Sequence, residues 1–359
     1  MIGIIGGYGA VGAQAARLLA ARGAGPLRIG GRRLERAAEL AAALPGPAEA
    51  VRVDVADDAS LAEFVAGCRV VVHCAGPSHT SAARVARAAL AAGAHHVDAG
   101  APDQLADSDG TFSTVFAAGA LPGLSGLLPR WLAGQGFATV HGLTCYAAVL
   151  DRFTATGAED YLHGVLGGGN EPLAAWQGGG RRAGALARQS GLRLPLLPRS
   201  VAAYPYLDAE GERLAHDLAL DHGRWYTVLD GEHLPAALDA ARGLDRAEAV
   251  AGLCRATALD TAGRTPYAAL FVQLDGTADG RPLSRTAVLR APGIAELTGA
   301  VTAAAALAVL LGEVPAGVHW ADAVLDPAAT VERLPGAMEL TVTDGPIGDL
   351  VDLVEEGVL

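Results

Sequence analysis

The sequence predicts an α/β protein: an N-terminal doubly wound parallel sheet followed by a second, β-rich domain. Three observations predict it. A strand, a glycine-rich turn and a helix succeed one another within the first 22 residues. Strand and helix patterns then alternate to about residue 135. After Gly134-Gln135-Gly136 the texture changes to longer strands and irregular stretches rich in glycine and arginine.

The elements follow in order. Met1 to Ile5 is an apolar run of strand length, and Val11 to Arg22 reads as the helix after it. Leu27 to Gly30 is a second strand, with a helix from Leu34 to Leu44 stopped by Pro45-Gly46-Pro47. Ala50 to Asp54 is a third strand, with a helix from Ala59 to Gly67. Arg69 to Cys74 is nearly all apolar, as a buried parallel strand is. A helix from Ser81 to Ala92, a strand from His95 to Ala99 and a strand from Thr114 to Ala120 complete the alternation before a helix from Leu124 to Ala133. Beyond it, Ala138 to Val149 reads as a longer strand. Residues 164–200, with Gly167-Gly168-Gly169 and Gly178-Gly179-Gly180, are either a flap or irregular strands. Ile294 to Leu311 is apolar on nearly all sides and hence buried. The expected domains are residues 1–135, residues 136–330, and a C-terminal segment 331–359 packing back on the first domain.

Composition bounds the function. A net charge of −12 argues against general binding to nucleic acid or to an anionic membrane. The most apolar helix is too short to span a bilayer. Strand-like sequence begins at Met1, and the four cysteines show neither zinc spacing nor a disulfide framework, so a cytoplasmic setting is expected. All 27 basic residues are arginine. The absence of lysine excludes a P-loop lysine, a Schiff-base lysine and a Tyr-Lys catalytic pair.

The turn after the first strand carries G-x-G-x-x-G at Gly7, Gly9 and Gly12. The first glycine permits a tight turn, the second lets backbone approach a pyrophosphate, and the third allows close helix–strand packing. The following helix, beginning at Ala10-Val11, offers its N–H groups and positive end to phosphate. Tyr8, inside the loop, is expected to pack against the cofactor. In dinucleotide folds an acidic residue at the end of the second strand holds the adenosine ribose. Here that place reads Gly30-Gly31-Arg32-Arg33, which suits a 2′-phosphate, each arginine contributing roughly 1.5–3 kcal/mol when partly desolvated. Residues 17–36 carry six arginines against one glutamate. NADP is therefore expected over NAD. Asp54 is a candidate adenine neighbour, and Ala75-Gly76-Pro77 is expected near the nicotinamide half.

These residues resemble the saccharopine dehydrogenase family. The resemblance rests on Gly6 to Gly12, Gly30-Gly31-Arg32, Asp54-Val55, Cys74 to Pro77 and His96-Val97-Asp98, and more loosely on Gly299 to Val318. It implies an N-terminal Rossmann domain, a second α/β domain built on a mixed sheet, and NAD(P)-dependent redox chemistry. The wider family includes imine reductases and enoyl reductases acting in trans. This chain departs from it in one respect: the lysine expected to transfer a proton in lysine-forming saccharopine dehydrogenases is missing, which argues against saccharopine as substrate.

Hydride transfer needs a proton donor about 3 Å from the developing charge. His79, Tyr146 and Asp98 are the catalytic candidates. Asp151, Arg152, Thr156, Trp225 and Tyr226 are the substrate-binding candidates, the arginine suiting a carboxylate, phosphate or thioester-linked group. His95 and His96 are adjacent on a strand and point to opposite faces, so no metal is expected. The function expected is an NADPH-dependent, biosynthetic oxidoreductase reducing a C=N or C=C bond of a small or carrier-protein-bound substrate. The arginines at 181, 182, 188, 193 and 199 are candidates to receive an acidic carrier, and a homodimer is allowed. The alternatives are a non-catalytic NADP-binding sensor and an enzyme using bound NAD(P) as an internal redox group.

Overall fold

The computed structural model describes residues 1–103, 110–167 and 171–355. The chain runs β1 (Ile2–Ile5), α1 (Ala10–Ala21), β2 (Leu27–Gly31), α2 (Leu34–Ala43), β3 (Ala48–Arg52), α3 (Asp58–Val65), β4 (Val70–His73), α4 (Ser78–Ala91), β5 (His95–Asp98), β6 (Ser113–Phe116) and α5 (Leu124–Ala133). It continues with β7 (Thr139–Leu150), α6 (Ala155–Leu166), β8 (Glu171–Pro172), β9 (Ala175–Gln177), β10 (Gly180–Arg182), β11 (Gln189–Leu192), β12 (Val201–Leu207), α7 (Ala209–Asp217), β13 (His222–Leu229), α8 (His233–Ala241), α9 (Arg246–Asp260), β14 (Tyr267–Ala278) and β15 (Arg281–Ala291). The last elements are α10 (Ile294–Leu310), β16 (Gly317–Trp320), α11 (Ala321–Val324), α12 (Pro327–Glu332), β17 (Glu339–Asp344) and α13 (Ile347–Glu355).

Two compact units emerge. The first comprises Met1–Leu127 and Ala295–Pro335, the second Leu128–Ile294 and Gly336–Leu359. This differs from the sequence-based division. The first unit ends at Leu127 rather than at residue 135, and it reclaims α10 and β16. The segment after Pro335 joins the second unit, where β17 pairs antiparallel with β15.

The first unit is a seven-stranded sheet in the order β16-β6-β5-β4-β1-β2-β3, with every pairing parallel. β1 and β4 are buried along their whole length, which is why they read as continuous apolar runs. The order reverses at the β1–β4 junction, where doubly wound sheets bind ligands beyond the strands' carboxyl ends. α10 packs on α1 at Gly299. A Cβ there would lie 2.8 Å from the Val11 carbonyl oxygen and 3.0 Å from the Ala15 nitrogen. Gln14 donates to Glu296 at 3.1 Å across the same contact, and the Thr302 hydroxyl donates to the Ala118 carbonyl at 2.8 Å. The apolar surround of α10 is thus spent inside the first unit.

The second unit is a mixed sheet with a central path β10-β9-β13-β7-β14-β15-β17 and β12 also paired with β13. β7 and β13 run parallel; β7 and β14, and β14 and β15, run antiparallel. One face carries the core of Tyr146, Ala148, Tyr226, Val228, Phe271 and Val288, closed by Leu194, Ile347 and Leu350. α6, α8 and α9 make a separate helical cluster around Leu162, Ala249 and Leu253. The stretch 164–200 resolves into the short strands β8 to β11, with residues 168–170 outside the described residues. Among the described residues no helix is long and apolar enough to cross a membrane.

Candidate functional site

The glycine turn is built as a phosphate cradle, shifted by one residue from the motif's assignment. Gly6, not Gly7, adopts the left-handed conformation (φ +74°). A Cβ on Gly6 would lie 2.7 Å from the Ala75 nitrogen and 2.8 Å from the Cys74 carbonyl, so the turn presses on the end of β4. The Gly7 N–H donates to the Gly30 carbonyl at 2.9 Å. Gly12 packs the helix on the turn: its Cβ would stand 2.3 Å from the Gly6 oxygen. Gly9 is the N-cap of α1, with φ −71° and no side-chain cap bond, and the first turn of α1 holds no acidic residue. Only the Gly6 oxygen, at 3.0 Å, lies within 4 Å of a Cβ built there. Open space before uncapped helix N–H groups fits a pyrophosphate.

Tyr8 packs against Gly31, where a Cβ would meet its ring at 2.3 Å. Its hydroxyl accepts from the Arg33 N–H at 3.0 Å, and the Arg33 guanidinium carbon lies 5.7 Å from the ring centroid. Arg32 is exposed and has no hydrogen bond or ion pair among the described residues. The same holds for Arg52, the register partner of Gly31 on β3, which the sequence reading had passed over. Cationic groups with no protein partner, beside a phosphate cradle, fit a second anionic group on the nucleotide. Asp54 shapes a turn, accepting from the Ala56 N–H at 3.0 Å, while Asp57 caps α3.

Ala75, Gly76 and Pro77 follow β4, and Pro77 opens α4. His79 lies half-buried in the first turn of α4. Asp98 is not placed as a group that touches substrate. It is fully buried; Oδ2 lies 2.7 Å from His73 Nδ1 and Oδ1 accepts the Gly100 N–H at 2.9 Å. Both oxygens are committed to protein groups, so Asp98 positions the loop after β5. His95 and His96 do point apart: the Ser113 N–H donates to His95 Nδ1 at 3.0 Å, while His96 stacks edge-on to Phe116.

In the second unit a chamber of about 330 Å³ opens on the sheet face that carries Tyr146. Thr144, Tyr146, His222, Arg224, Gln273 and Asp275 line it from the sheet, and Leu192 to Leu194 and Ile347 from above. Tyr146 and Tyr226 are register partners on β7 and β13, stacked with centroids 4.8 Å apart and planes 14° apart. Gln189 joins their hydroxyls: Tyr146 donates to its Oε1 at 3.5 Å, and its amide donates to Tyr226 at 3.1 Å. Burial, then the neighbouring Tyr226, pushes the Tyr146 phenol above its ordinary pKa, so it stays protonated at neutral pH.

None of the expected substrate residues lines this chamber; Tyr226 adjoins it through its stack on Tyr146. Trp225 lies between Arg224 and Tyr226 on β13 and so faces the opposite side, near Gly211 and Gly223. Asp151 accepts from the Arg152 and Ile294 N–H groups at 2.7 and 3.0 Å, tying the end of β7 to the start of α10. Arg152 donates to the Thr261 hydroxyl at 3.1 Å. Thr154 caps α6, and exposed Thr156 sits beside it, hydroxyls 3.3 Å apart. This cluster is helix-capping structure. The missed groups are His222 and Arg224, which strand alternation aligns with Tyr226, and Gln189, which lies in aperiodic sequence. Among the arginines in 164–200, Arg181 bonds Glu212 twice, Arg199 bonds Asp230, and Arg188 lies over the Tyr204 ring.

A doubly wound unit with a phosphate cradle, joined to a mixed-sheet unit with a polar chamber, defines the class: a two-domain α/β fold with an NADP-binding first domain. Residues 2–113 match the family model "Saccharopine dehydrogenase NADP binding domain". Among solved structures, the chain is similar to the apo saccharopine dehydrogenase (L-Glu forming) of Saccharomyces cerevisiae, with a TM-score of 0.65 at 14% identity over 96% of this chain and 99% of that one. GenD2 from gentamicin A biosynthesis, solved with NAD, aligns over 96% of both chains at 15% identity and a TM-score of 0.43. The Citrobacter sp. triphenylmethane reductase, solved with NADP(H), aligns at 26% identity over 28% of this chain and 37% of that one, with a TM-score of 0.24. No curated protein matches the chain by sequence. Residues 2–113 are thus similar to the saccharopine dehydrogenase NADP-binding domain, and the fold of the chain is similar to that of a saccharopine dehydrogenase.

Proposed function

We propose that this chain is an NADPH-dependent reductase of a C=N or C=C bond in a small or carrier-linked biosynthetic substrate. The observation that carries the reading is the buried, protonated Tyr146 phenol on the wall of a chamber that also offers Arg224. Bound NADPH supplies the hydride. The open flank of Gly9 and the N–H groups of α1 hold the pyrophosphate, and Arg32, with Arg33 braced on Tyr8, holds the 2′-phosphate. Tyr146 holds a proton at Oη, kept in place by the Tyr226 stack and by Gln189. Arg224, without a partner among the described residues, is the cation available to an anionic substrate group. Leu192, Leu194 and Ile347 add apolar surface to the chamber wall.

The test follows NADPH oxidation by absorbance over a panel of imines and enoyl thioesters, with Tyr146→Phe beside the native chain. Turnover that falls in the variant supports the reading. No turnover despite tight NADPH binding favours the sensor, and nucleotide retained through purification without net oxidation favours the internal redox role.

A further inference from the structure

The first unit buries a cluster that the nucleotide cradle and the chamber leave unused. His73, His96 and Asp98 have no exposed surface, and each offers one ligand atom within 4.8 Å of the others. The register explains the meeting: His73 pairs with Asp98 and Val71 with His96 across β4 and β5, so all three side chains share one face of the sheet. His96 is the anomaly. Among the described residues neither ring nitrogen has a hydrogen-bond partner, although the residue is wholly buried. Its register partner on β6, Thr114, has an unpartnered buried hydroxyl as well. Folded proteins rarely leave such groups unsatisfied, and an ion or an ordered water is the usual resolution.

We propose that His73, His96 and Asp98 form a binding site for one divalent transition-metal ion of the zinc class. Two imidazoles and a carboxylate are borderline ligands of the kind zinc takes. Adjacent ligands in a tetrahedral zinc site with bonds near 2.0 Å stand roughly 3.3 Å apart. Here Asp98 Oδ2 lies 2.7 Å from His73 Nδ1 and 3.7 Å from His96 Nε2, on either side of that spacing. His96, with no hydrogen bond to either ring nitrogen among the described residues, has its Nε2 uncommitted for ligation. A second shell is present too. Ligation through Nδ1 puts the His73 proton on Nε2, which faces Ser81 Oγ at 3.4 Å, and that hydroxyl already donates to the Pro77 carbonyl at 2.8 Å. The fourth position is left for water. An ion here fastens β4 to β5, and through the second Asp98 oxygen it fastens the Gly100 turn.

The experiment strips the purified full chain with a chelator, checks its fold by far-UV circular dichroism, and titrates Zn²⁺ against a chromophoric competitor. One equivalent per chain and a rise in melting temperature are expected. His96→Phe fills a similar volume against Phe116 and removes the orphaned nitrogens, so the metal-free variant should melt no lower than the stripped native chain. It should bind no zinc at this site and gain no melting temperature from it. Should the variant fail to fold, Co²⁺ added to the native chain decides: visible d–d bands of a four-coordinate site with imidazole ligands support the assignment. A folded native chain that takes up no zinc, lacks those bands, or loses no zinc in His96→Phe overturns it, and leaves buried water as the partner of His96.

Discussion

Arg33 and Tyr8 form one unit: the guanidinium carbon stands 5.7 Å over the ring while the Arg33 N–H donates to the phenol at 3.0 Å. The glycine loop and the end of β2 are therefore linked through a side chain as well as through backbone. Arg33 is held in place by this contact, whereas Arg32 is left with its charge unpartnered among the described residues. Arg32→Ala should weaken NADPH by about ten- to a hundredfold, the loss of one charge-assisted bond of about 1.5–3 kcal/mol. NADH, lacking the 2′-phosphate, should bind as before. Titration calorimetry with both nucleotides checks this, and equal weakening of the two refutes the phosphate assignment.

Two glycines of the same loop should fail in different ways. Gly6 is left-handed, and its Cβ position is blocked by the backbone of Cys74 and Ala75. Gly6→Ala should cost at least about 1–2 kcal/mol from the backbone conformation alone, and more from the clash. Gly9 has ordinary dihedrals and only the Gly6 oxygen close by. Gly9→Val should keep most of the melting temperature and lose both nucleotides. Thermal denaturation run beside nucleotide titration separates the outcomes; a Gly9→Val chain that still binds NADPH would falsify the cradle.

Much of this was written in the sequence, and the omissions have physical causes. β1 and β4 were legible because parallel strands buried on both faces are apolar throughout. The motif puts the tight turn at Gly7 because the neighbouring glycines Gly6, Gly7 and Gly9 are alike in sequence, and only packing against the end of β4 selects Gly6. α10 was legible as buried, but an all-round apolar helix does not say which unit it serves; the Gly299 contact with α1 decides that. In the second unit, Trp225 and Tyr226 were both expected at the substrate pocket, yet period-two alternation puts these neighbours on opposite faces of β13. Nothing in the aperiodic 164–200 stretch marks Gln189. His73 and His96 look like ordinary strand residues until the β4–β5 register brings them to one carboxylate.

Asp230 is a stability test away from both sites. Its side chain is completely buried and bonds Arg199 at 2.7 Å, Arg264 at 2.5 Å and the Tyr267 hydroxyl at 2.7 Å. Removing it leaves two guanidinium groups and a phenol without their acceptor. Asp230→Ala should destabilise the second unit by about 3–5 kcal/mol. Chemical denaturation measures this, and a loss below 1 kcal/mol would show that water replaces the carboxylate.

The pH dependence of turnover tests the proton donor once a substrate is in hand. Burial and the adjacent Tyr226 disfavour the phenolate of Tyr146, so its pKa lies above the ordinary tyrosine value. The acid form is the donor, and it persists until pH rises through that raised pKa. A rate limited by Tyr146 should therefore stay flat from neutrality to about pH 10 and fall only beyond it. In Tyr146→Phe, kcat should drop about a hundredfold or more with KM little changed, since the ring still stacks on Tyr226 and only the proton is gone. A kcat left unchanged in Tyr146→Phe would move the donor's role away from Tyr146.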